Sequence, residues 1–299
     1  MHISRHFVDR VVKHIMLALA TLSLLILVLI ALYIFREAWP AFKELGLSVF
    51  DDKWYPSREA YGIMTMIVGT IVSTTLALFF AVPLSIGCAL FLAEVAPPQV
   101  AQVARPAVEL LVGIPSVVYG MVGVVFLSPI IADISGQGSG SSVLAAGIVL
   151  AIMILPTVTS ISEDGLRAVP RAYKDASLAL GATRWQTIWH VLLPAARSSI
   201  VAAVILGLGR AIGETMAMMM VIGNSPQFPH SIFDSARTLT GNIAAEIAHA
   251  TGLHADVLWA CGALLFIMVL GLNTLGILAY RGKIGLPWSR GKSAKGRVS

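Results

Sequence analysis

The sequence predicts an all-α membrane protein with six transmembrane helices. Of its 299 residues, 57% are hydrophobic and only 12% are charged, whereas a soluble domain has about 25% charged residues. Its mean hydropathy is +0.83, and its six apolar runs approach or exceed the ~20 residues that cross a bilayer. These observations exclude an ordinary soluble domain and favour one polytopic membrane domain over two soluble domains.

The first predicted span is 15–35, which follows a short basic segment, 1–14. It holds about 20 apolar residues, the length that crosses a bilayer. A signal peptide would have a shorter apolar core and small residues at a cleavage site, whereas Trp39 and charged residues follow here, so we expect an uncleaved first helix. The loop 36–62 that comes next is rich in the tryptophan and tyrosine residues typical of a membrane interface.

Five further spans are predicted, at 63–92, 107–131, 143–161, 195–222 and 257–280. Pro83 is expected to kink the second span near its cytoplasmic end, and Pro156 interrupts the fourth. A polar loop precedes the sixth span. The basic, Gly- and Ser-rich tail 281–299 is predicted to be disordered.

The distribution of Lys and Arg predicts the orientation in the membrane. Leaving out Arg210, which lies inside a span, fifteen basic residues fall on the side that carries both termini and five fall on the other side. Because cytoplasmic loops are rich in Lys and Arg, both termini and the segment 162–194 are predicted to be cytoplasmic. The net charge of +5 is therefore a topology signal, and we expect a lipid bilayer but no nucleic acid as a partner.

The segment 162–194 is predicted to form a water-facing helical elbow before the fifth span. Pro170 is favourable in a first helical turn, and Gly181 is typical of a helix end. Thr183, with Gln186 three residues later, predicts a capping box that begins a second short helix. Because the elbow joins the fifth span with almost no linker, such a chain can transmit a movement from the cytoplasm into the membrane.

Two charges, Arg210 and Glu214, lie inside the fifth predicted span. Each costs at least about 2.5–3.5 kcal/mol in the bilayer on insertion scales, so such residues usually face a cavity or a partner. Their i, i+4 spacing predicts one shared helical face. In one interpretation Arg210 binds an anion bidentately and Glu214 balances it when no substrate is present. In the other the two form a structural ion pair, and the interpretations are not exclusive.

Other candidate residues are few. Glu109 precedes the stretch 113–116 (GIPS) and either lines a substrate pathway or is merely interfacial. Cys88 and Cys261 lie in apolar runs without a Cys or His at metal-ligand spacing, so neither a metal site nor another cofactor is predicted. We find no Gly-rich phosphate-cradling loop, and therefore expect no ATP hydrolysis by this chain itself. The spans contain no nucleophile–base set, so the sequence does not indicate a membrane enzyme.

The elbow resembles the EAA loop of ABC-importer permeases. That pattern has an acidic-Ala-small triplet, a Gly four residues after the triplet, and a later Leu-Pro pair. The matching residues here are Asp175, Ala176, Ser177, Gly181 and the pair Leu193-Pro194. The triplet departs from the pattern in beginning with Asp instead of Glu. The resemblance implies that this short helix docks into a groove of a cytoplasmic ATPase and transmits its closure.

Other stretches resemble the permeases of phosphate-specific ABC importers. The stretches 207–217 (GLGRAIGETMA) and 114–120 (IPSVVYG) are similar to signatures shared by both permeases of those importers. The stretches 54–63 and 239–254 favour the PstC type over the PstA type. The resemblance covers nearly everything between the first helix and the tail. It implies a type I ABC importer fold of the MetI-like kind, with a transmembrane domain at 63–280 and a cytoplasmic coupling helix.

The resemblance also implies a substrate and partners. The chain would work with a PstA-type second permease, a dimer of ATPase subunits and an extracytoplasmic phosphate-binding protein, in the inner or plasma membrane. In that family the Arg and Glu of the fifth span, here Arg210 and Glu214, line the phosphate pathway. Because one arginine does not balance a phosphate charge of about −1.5 to −2, a second arginine from the partner permease is expected.

Two other functions stay open on the sequence alone. A permease for another oxyanion, such as phosphonate, sulfate or molybdate, would share the fold and the charged pair. A signalling partner that reports phosphate supply to a cytoplasmic regulator would use the elbow and the tail. The direction of transport follows from the resemblance and not from individual residues.

Overall fold

The computed structural model describes residues 5–136 and 138–282, with side chains described between 11 and 278. Most of the predicted disordered tail, from residue 283 onward, lies outside the described residues, and so do residues 1–4 of the predicted N-terminal segment.

Twelve α-helices and one short hairpin are the main elements of the described residues. The helices are α1 (Arg5–Leu45), α2 (Met64–Leu90), α3 (Pro98–Val112), α4 (Ser116–Val122), α5 (Ser128–Ser135), α6 (Val143–Arg167), α7 (Arg171–Ala179), α8 (Arg184–Thr187), α9 (Leu193–Gly213), α10 (Met216–Val221), α11 (Leu239–Glu246) and α12 (Leu253–Gly282). The hairpin pairs β1 (Trp54–Tyr55) with β2 (Ala60–Tyr61) in antiparallel orientation. Single π-helical turns lie at Phe91–Val95, Gly123–Leu127 and Ile188–Leu192.

Six helical segments in the described part of the chain are long and apolar enough to span a membrane. They are Val11–Phe50, Met64–Val95, Ser116–Ser135, Val143–Arg167, Arg184–Gly213 and Leu253–Leu278. The apolar side chains of α1 from Ile15 to Leu32 are largely exposed, as expected of a helix whose surroundings are lipid rather than protein. The predicted all-α membrane fold with six spans is confirmed.

The first helix is longer than the sequence predicted. The predicted span ended at residue 35, but α1 continues to Leu45 and passes through Pro40. Ala38 and Ala41 in this extension are fully buried, in a cluster that includes residues of α12. Packing against α12 therefore stabilises a helical conformation in a stretch whose charges had indicated a loop.

The third span differs from the predicted 107–131. The structure has α3 ending at Val112, non-helical chain at 113–115 and a span at Ser116–Ser135. Pro115 is the local cause, because a proline disfavours the helical conformation in the residue before it. The prediction was wrong in joining two separate helices into one.

The fifth span is also interrupted. One helix was predicted over 195–222, but α9 ends at Gly213, Glu214 has extended backbone angles (φ −69°, ψ 130°) and α10 begins at Met216. At its other end the span reaches back to Arg184 through α8 and a π-helical turn. The predicted span therefore began too late and continued past a break.

Helix α6 forms the centre of the bundle. It packs along α2 and α9 and also contacts α3. In its most apolar stretch 61% of the residues are buried, a larger share than in the other five spans. At Gly165 the approach of α9 is close, because a Cβ built on this glycine would lie 2.2 Å from the Cβ of Ser199. A small residue at this crossing lets the two helices come this near.

The substitution Gly165→Ala is expected to lower the melting temperature of the purified protein. The added methyl group overlaps Ser199, and overpacking of this kind costs about 1–3 kcal/mol. Gly87→Ala in α2 is the matched control, because a Cβ on Gly87 meets no atom within 4 Å. Thermal melting in detergent should show a loss for Gly165→Ala only, and adding Ser199→Gly should restore it. An unchanged melting temperature for Gly165→Ala would contradict this account of the crossing.

Candidate functional site

Two interrupted helices meet inside the bundle. Helix α4, which follows the break at 113–115, packs against α10, which follows the break at 214–215. A Cβ on Gly120 would lie 2.9 Å from the Cα of Ala217, so the two helices are nearly in backbone contact. Non-helical backbone at membrane depth is tolerated only where protein buries it or where it lines a cavity. A pair of interrupted apolar segments is also a pointer to a binding site in transporters.

Arg210 lies in the last turn of α9, next to the second break. Its Nη1 donates a hydrogen bond to Oγ1 of Thr157 in α6 at 3.1 Å. A Cβ on either nearby glycine, Gly209 or Gly213, would meet no atom within 4 Å, and Arg210 itself is half-buried. Since an arginine has five N–H donors and Thr157 takes one of them, donors remain for an anion that reaches the guanidinium.

Glu214 is not placed as its spacing from Arg210 predicted. It does not share a helical face with Arg210, because the helix ends at Gly213 and Glu214 is extended. Its Oε1 accepts a hydrogen bond from the backbone N–H of Ala217 at 3.3 Å, in the first turn of α10. Among the residues that the structure describes, Arg210 and Glu214 form no ion pair. The expected i, i+4 pair is therefore wrong in geometry for this conformation.

Tyr119 brings α4 close to the same arginine. Its hydroxyl donates a hydrogen bond to the carbonyl oxygen of Leu111 at 2.8 Å, which ties α4 to α3 across the break at 113–115. The Arg210 guanidinium lies close enough to the Tyr119 phenol to interact with it electrostatically. Direct contact therefore joins α6 to α9 through Thr157 and Arg210, and α4 lies within electrostatic range of the same arginine.

Glu109 is exposed on α3, on the far side of the 113–115 break from Tyr119. The described part of the chain offers it no ion pair, although it lies within electrostatic range of Glu163. The structure therefore does not bring Glu109 together with Arg210 through any direct contact between described residues.

The elbow forms two short helices, as the sequence predicted. Helix α7 buries none of its residues, and Asp175 and Ala176 are exposed. Ser177 faces inward, with its Oγ 2.9 Å from Oγ1 of the buried Thr187. The elbow also exposes large apolar side chains, namely Tyr173, Leu180, Trp185 and Trp189. A group of exposed apolar side chains of this kind marks an interaction surface.

The turn between α7 and α8 has the predicted local chemistry. Gly181 has a left-handed backbone (φ +83°), a conformation that glycine adopts without steric cost. The capping box is confirmed: Oγ1 of Thr183 accepts from the Gln186 N–H at 3.2 Å, and the Thr183 N–H donates to the Gln186 side chain at 2.8 Å. Pro194 is the second residue of α9 and directly follows the π-helical turn Ile188–Leu192, so its missing N–H falls where the hydrogen-bond pattern of the helix changes.

A second polar cluster lies at the opposite end of the bundle, around the carboxylate of Glu246. Its Oε1 accepts from Arg237 at 2.6 Å and from the Trp54 indole at 3.1 Å, and its Oε2 lies 2.8 Å from Nε2 of His254. The Tyr61 ring stacks on His254 with 5.6 Å between centroids. Burial, and to a smaller extent Glu59, raises the pKa of Tyr61, which therefore stays a neutral phenol. This cluster attaches the β1–β2 hairpin to α11 and α12.

Sequence reasoning missed two groups that the structure brings into play. Thr157 carries no signal in the sequence, because a threonine in an apolar run is unremarkable until its partner is known. Glu163 was assigned to the elbow, since the fourth span was predicted to end at residue 161, but it lies inside α6 and is buried. The charge of Glu163 next to a predicted membrane helix was the available signal.

Comparisons with known proteins agree with this geometry. A family model described as "Binding-protein-dependent transport system inner membrane component" matches residues 81–282. A protein of Bacillus subtilis named "Probable ABC transporter permease protein YqgH" is 47% identical over 72% of this chain and 71% of its own length. The "Phosphate transport system permease protein PstC" of Haemophilus influenzae is 39% identical over 87% of this chain and 89% of its own length.

The fold is similar to those of solved bacterial importers. A chain of the bacterial alginate ABC transporter, in complex with an alginate pentasaccharide-bound periplasmic protein, matches with a TM-score of 0.63 over 92% of this chain and 96% of that chain, at 17% identity. A chain of the inward-facing MetNI methionine ABC transporter matches with a TM-score of 0.54 over 74% and 94%, at 22% identity. These likenesses concern the fold alone. The family-model match over residues 81–282 and the relative at 39% identity show that the chain belongs to the family of inner membrane components of binding-protein-dependent transport systems, as a permease subunit.

Proposed function

We propose that this chain is the PstC-type permease subunit of an ATP-driven importer of inorganic phosphate. The observation that carries the proposal is the half-buried Arg210 guanidinium, hydrogen-bonded to Thr157 in the last helical turn before the break at 214–215. Similarity to proteins named as PstC phosphate permeases supports the choice of substrate. The site lies in a multi-pass membrane protein, and we place it in the inner or plasma membrane with both termini in the cytoplasm.

The chemistry of the site suits a small oxyanion. A guanidinium offers two parallel N–H donors that match two phosphate oxygens, and its charge favours an anion. Thr157 takes one donor and fixes the plane of the group. Glu214, held by the N–H of Ala217, keeps its negative charge away from Arg210 in this conformation. The Glu214 carboxylate therefore repels an anion at Arg210 less than it would if Arg210 and Glu214 formed an intrahelical ion pair.

A single arginine leaves part of the phosphate charge of about −1.5 to −2 unbalanced. We therefore assign a second cationic group to a PstA-type permease that pairs with this chain across the pathway. Glu109 is exposed on α3 and is placed at the cytoplasmic side of this pathway. The permease pair works with a dimer of ATPase subunits and with an extracytoplasmic phosphate-binding protein, as the family description of a binding-protein-dependent system suggests.

The coupling to ATP hydrolysis follows from a continuous helix. From Arg184 in the elbow to Gly213 the chain stays helical through α8, a π-helical turn and α9. At about 1.5 Å per residue this rod is roughly 40 Å long between Arg184 and Arg210. When the ATPase dimer closes around the exposed elbow at Asp175, Ala176 and Ser177, the rod carries that movement to Arg210 and opens the site outward. Hydrolysis then resets the pair, which is transport by alternating access.

Replacing Arg210 tests the proposed substrate site. Arg210→Gln is expected to lower ATP-driven uptake of radiolabelled phosphate by about 10–100-fold in vesicles that hold the whole complex, because hydrogen bonds to a charged group contribute about 1.5–3 kcal/mol. Arg210→Lys should give an intermediate rate, since it keeps the charge and loses the fork. The ATPase rate and the subunit composition are measured on the same vesicles.

Thr157→Val is the companion variant, because it keeps the side-chain shape and removes the hydrogen bond to Arg210. We expect a smaller loss of uptake than for Arg210→Gln. Unchanged phosphate uptake by Arg210→Gln would refute the substrate role. A parent complex that takes up sulfate, molybdate or a phosphonate in preference to phosphate would refute the choice of oxyanion.

Replacing Gly181 tests the coupling elbow. Gly181→Ala is expected to weaken co-purification of the ATPase subunits about 5–30-fold, because a left-handed backbone costs a non-glycine residue about 1–2 kcal/mol. Gly181→Asn should weaken it less, since asparagine enters this region more readily. Gly87→Ala, at an open helical position, serves as the control. Equal ATPase binding by Gly181→Ala and the parent would show that the turn between α7 and α8 has no part in docking.

A further inference from the structure

A buried carboxylate near the elbow end of α6 holds two arginines. The side chain of Glu163 is only 7% exposed, and its Oε1 lies 2.6 Å from Nε of Arg105 in α3 and 2.9 Å from Nε of Arg167 one turn later in α6. Because a buried charge is tolerated only when it is paired, this carboxylate and its two cations act as one unit. No part of the proposed substrate site uses this unit.

The same unit is connected to the elbow. Nη2 of Arg167 donates a hydrogen bond to the carbonyl oxygen of Leu92 at 3.2 Å, in the π-helical turn that ends α2. Two residues later in that turn, Glu94 forms an ion pair with Lys174 of α7. Polar contacts therefore run from α7 to the end of α2, then to α6 through Arg167, and from Glu163 to α3.

Helix α3 depends on the last of these contacts. Its one buried residue is Ala101, and Arg105 follows one turn later. The ion pair between Arg105 and Glu163 therefore attaches the middle of α3 to α6. Beyond the break at 113–115 the chain continues into α4, and Tyr119 is bonded back to Leu111 of α3. This hydrogen bond links α3 to Tyr119, whose phenol is within electrostatic range of Arg210.

We propose that Glu163 is a positioning residue that transmits the movement of the elbow, through Arg167, the end of α2 and Arg105, to α3 and to the Tyr119 side of the substrate site. This route is separate from the continuous helix that reaches Arg210, because it ends on α3 and α4 and not on α9. It rests on the proposed function only in that an ATPase moves the elbow. The rival account is that the three charges merely hold α3 in place.

The test measures whether α3 follows the elbow. Spin labels are placed in the whole complex, with its ATPase subunits, in a background in which Cys88 and Cys261 are replaced. One pair of labels is attached at Val103 of α3, which is 73% exposed, and at Leu24 of α1, which is 62% exposed. A second pair joins the exposed Ala172 of α7 to Leu24. Both distances are compared with and without a non-hydrolysable ATP analogue, together with phosphate taken up per ATP hydrolysed.

The variant is Arg105→Gln, because Arg105 is partly exposed and Glu163 keeps its contact with Arg167. We expect the nucleotide-dependent change in the Val103–Leu24 distance to fall by more than about half, while the change in the Ala172–Leu24 distance persists. Phosphate uptake per ATP hydrolysed should fall about tenfold, as for mutations within a coupling network. Arg105→Lys should restore both. The matched control is Arg197→Gln in α9, an exposed arginine without an ion pair to any described residue.

If nucleotide changes the Val103–Leu24 distance as much in Arg105→Gln as in the parent, the proposal is overturned. It is also overturned if this distance does not respond to nucleotide in the parent complex. A loss in Arg197→Gln equal to that in Arg105→Gln would overturn it as well. If Arg105→Gln does not assemble, Lys174→Gln decides, because it removes only a partly exposed surface cation. Loss of the Val103 change there supports the route, and retention refutes it. The distances need no phosphate, so they decide this proposal even if the complex carries another substrate.

Discussion

Backbone hydrogen bonding in lipid is the constraint on which the rest of this structure depends. No water satisfies peptide groups in the bilayer core, so every crossing is helical and a break is tolerated only where protein buries it or where it lines a cavity. The breaks at 113–115 and 214–215 satisfy this requirement together, because the helices that follow them pack on each other. Arg210 lies in the last helical turn before the second break and is held there by Thr157 of α6.

Charges in the bundle obey a related rule, with two different outcomes. A charge taken out of water must be paired or must reach a polar space. Glu163 is paired with two arginines, and such an arrangement holds helices in a defined relation to one another. Among the described residues Arg210 has one hydrogen-bond partner, the uncharged Thr157, and no ion pair. The first arrangement suits transmission of a movement, and the second suits a transient anionic ligand.

The elbow connects these two arrangements to the cytoplasm. Its surface is exposed and partly apolar, with Leu180 90% exposed, while its inner side is attached by Lys174 to the end of α2 and by an unbroken helix to α9. The elbow is therefore linked directly to both α2 and α9. The left-handed Gly181 between α7 and α8 lets both short helices face the same partner.

The sequence by itself determined the number of spans, the elbow and its capping box, and the presence of Arg210 in an apolar helix. These features depend on the length of apolar runs and on residues within one helical turn of each other, which a sequence displays directly. The tertiary structure alone decided that α1 extends to Leu45, that Thr157 holds Arg210, and that Glu163 joins α3 to α6 through Arg105. Those contacts join residues far apart in the chain, and they arise only when small residues and helix breaks let particular helices approach each other.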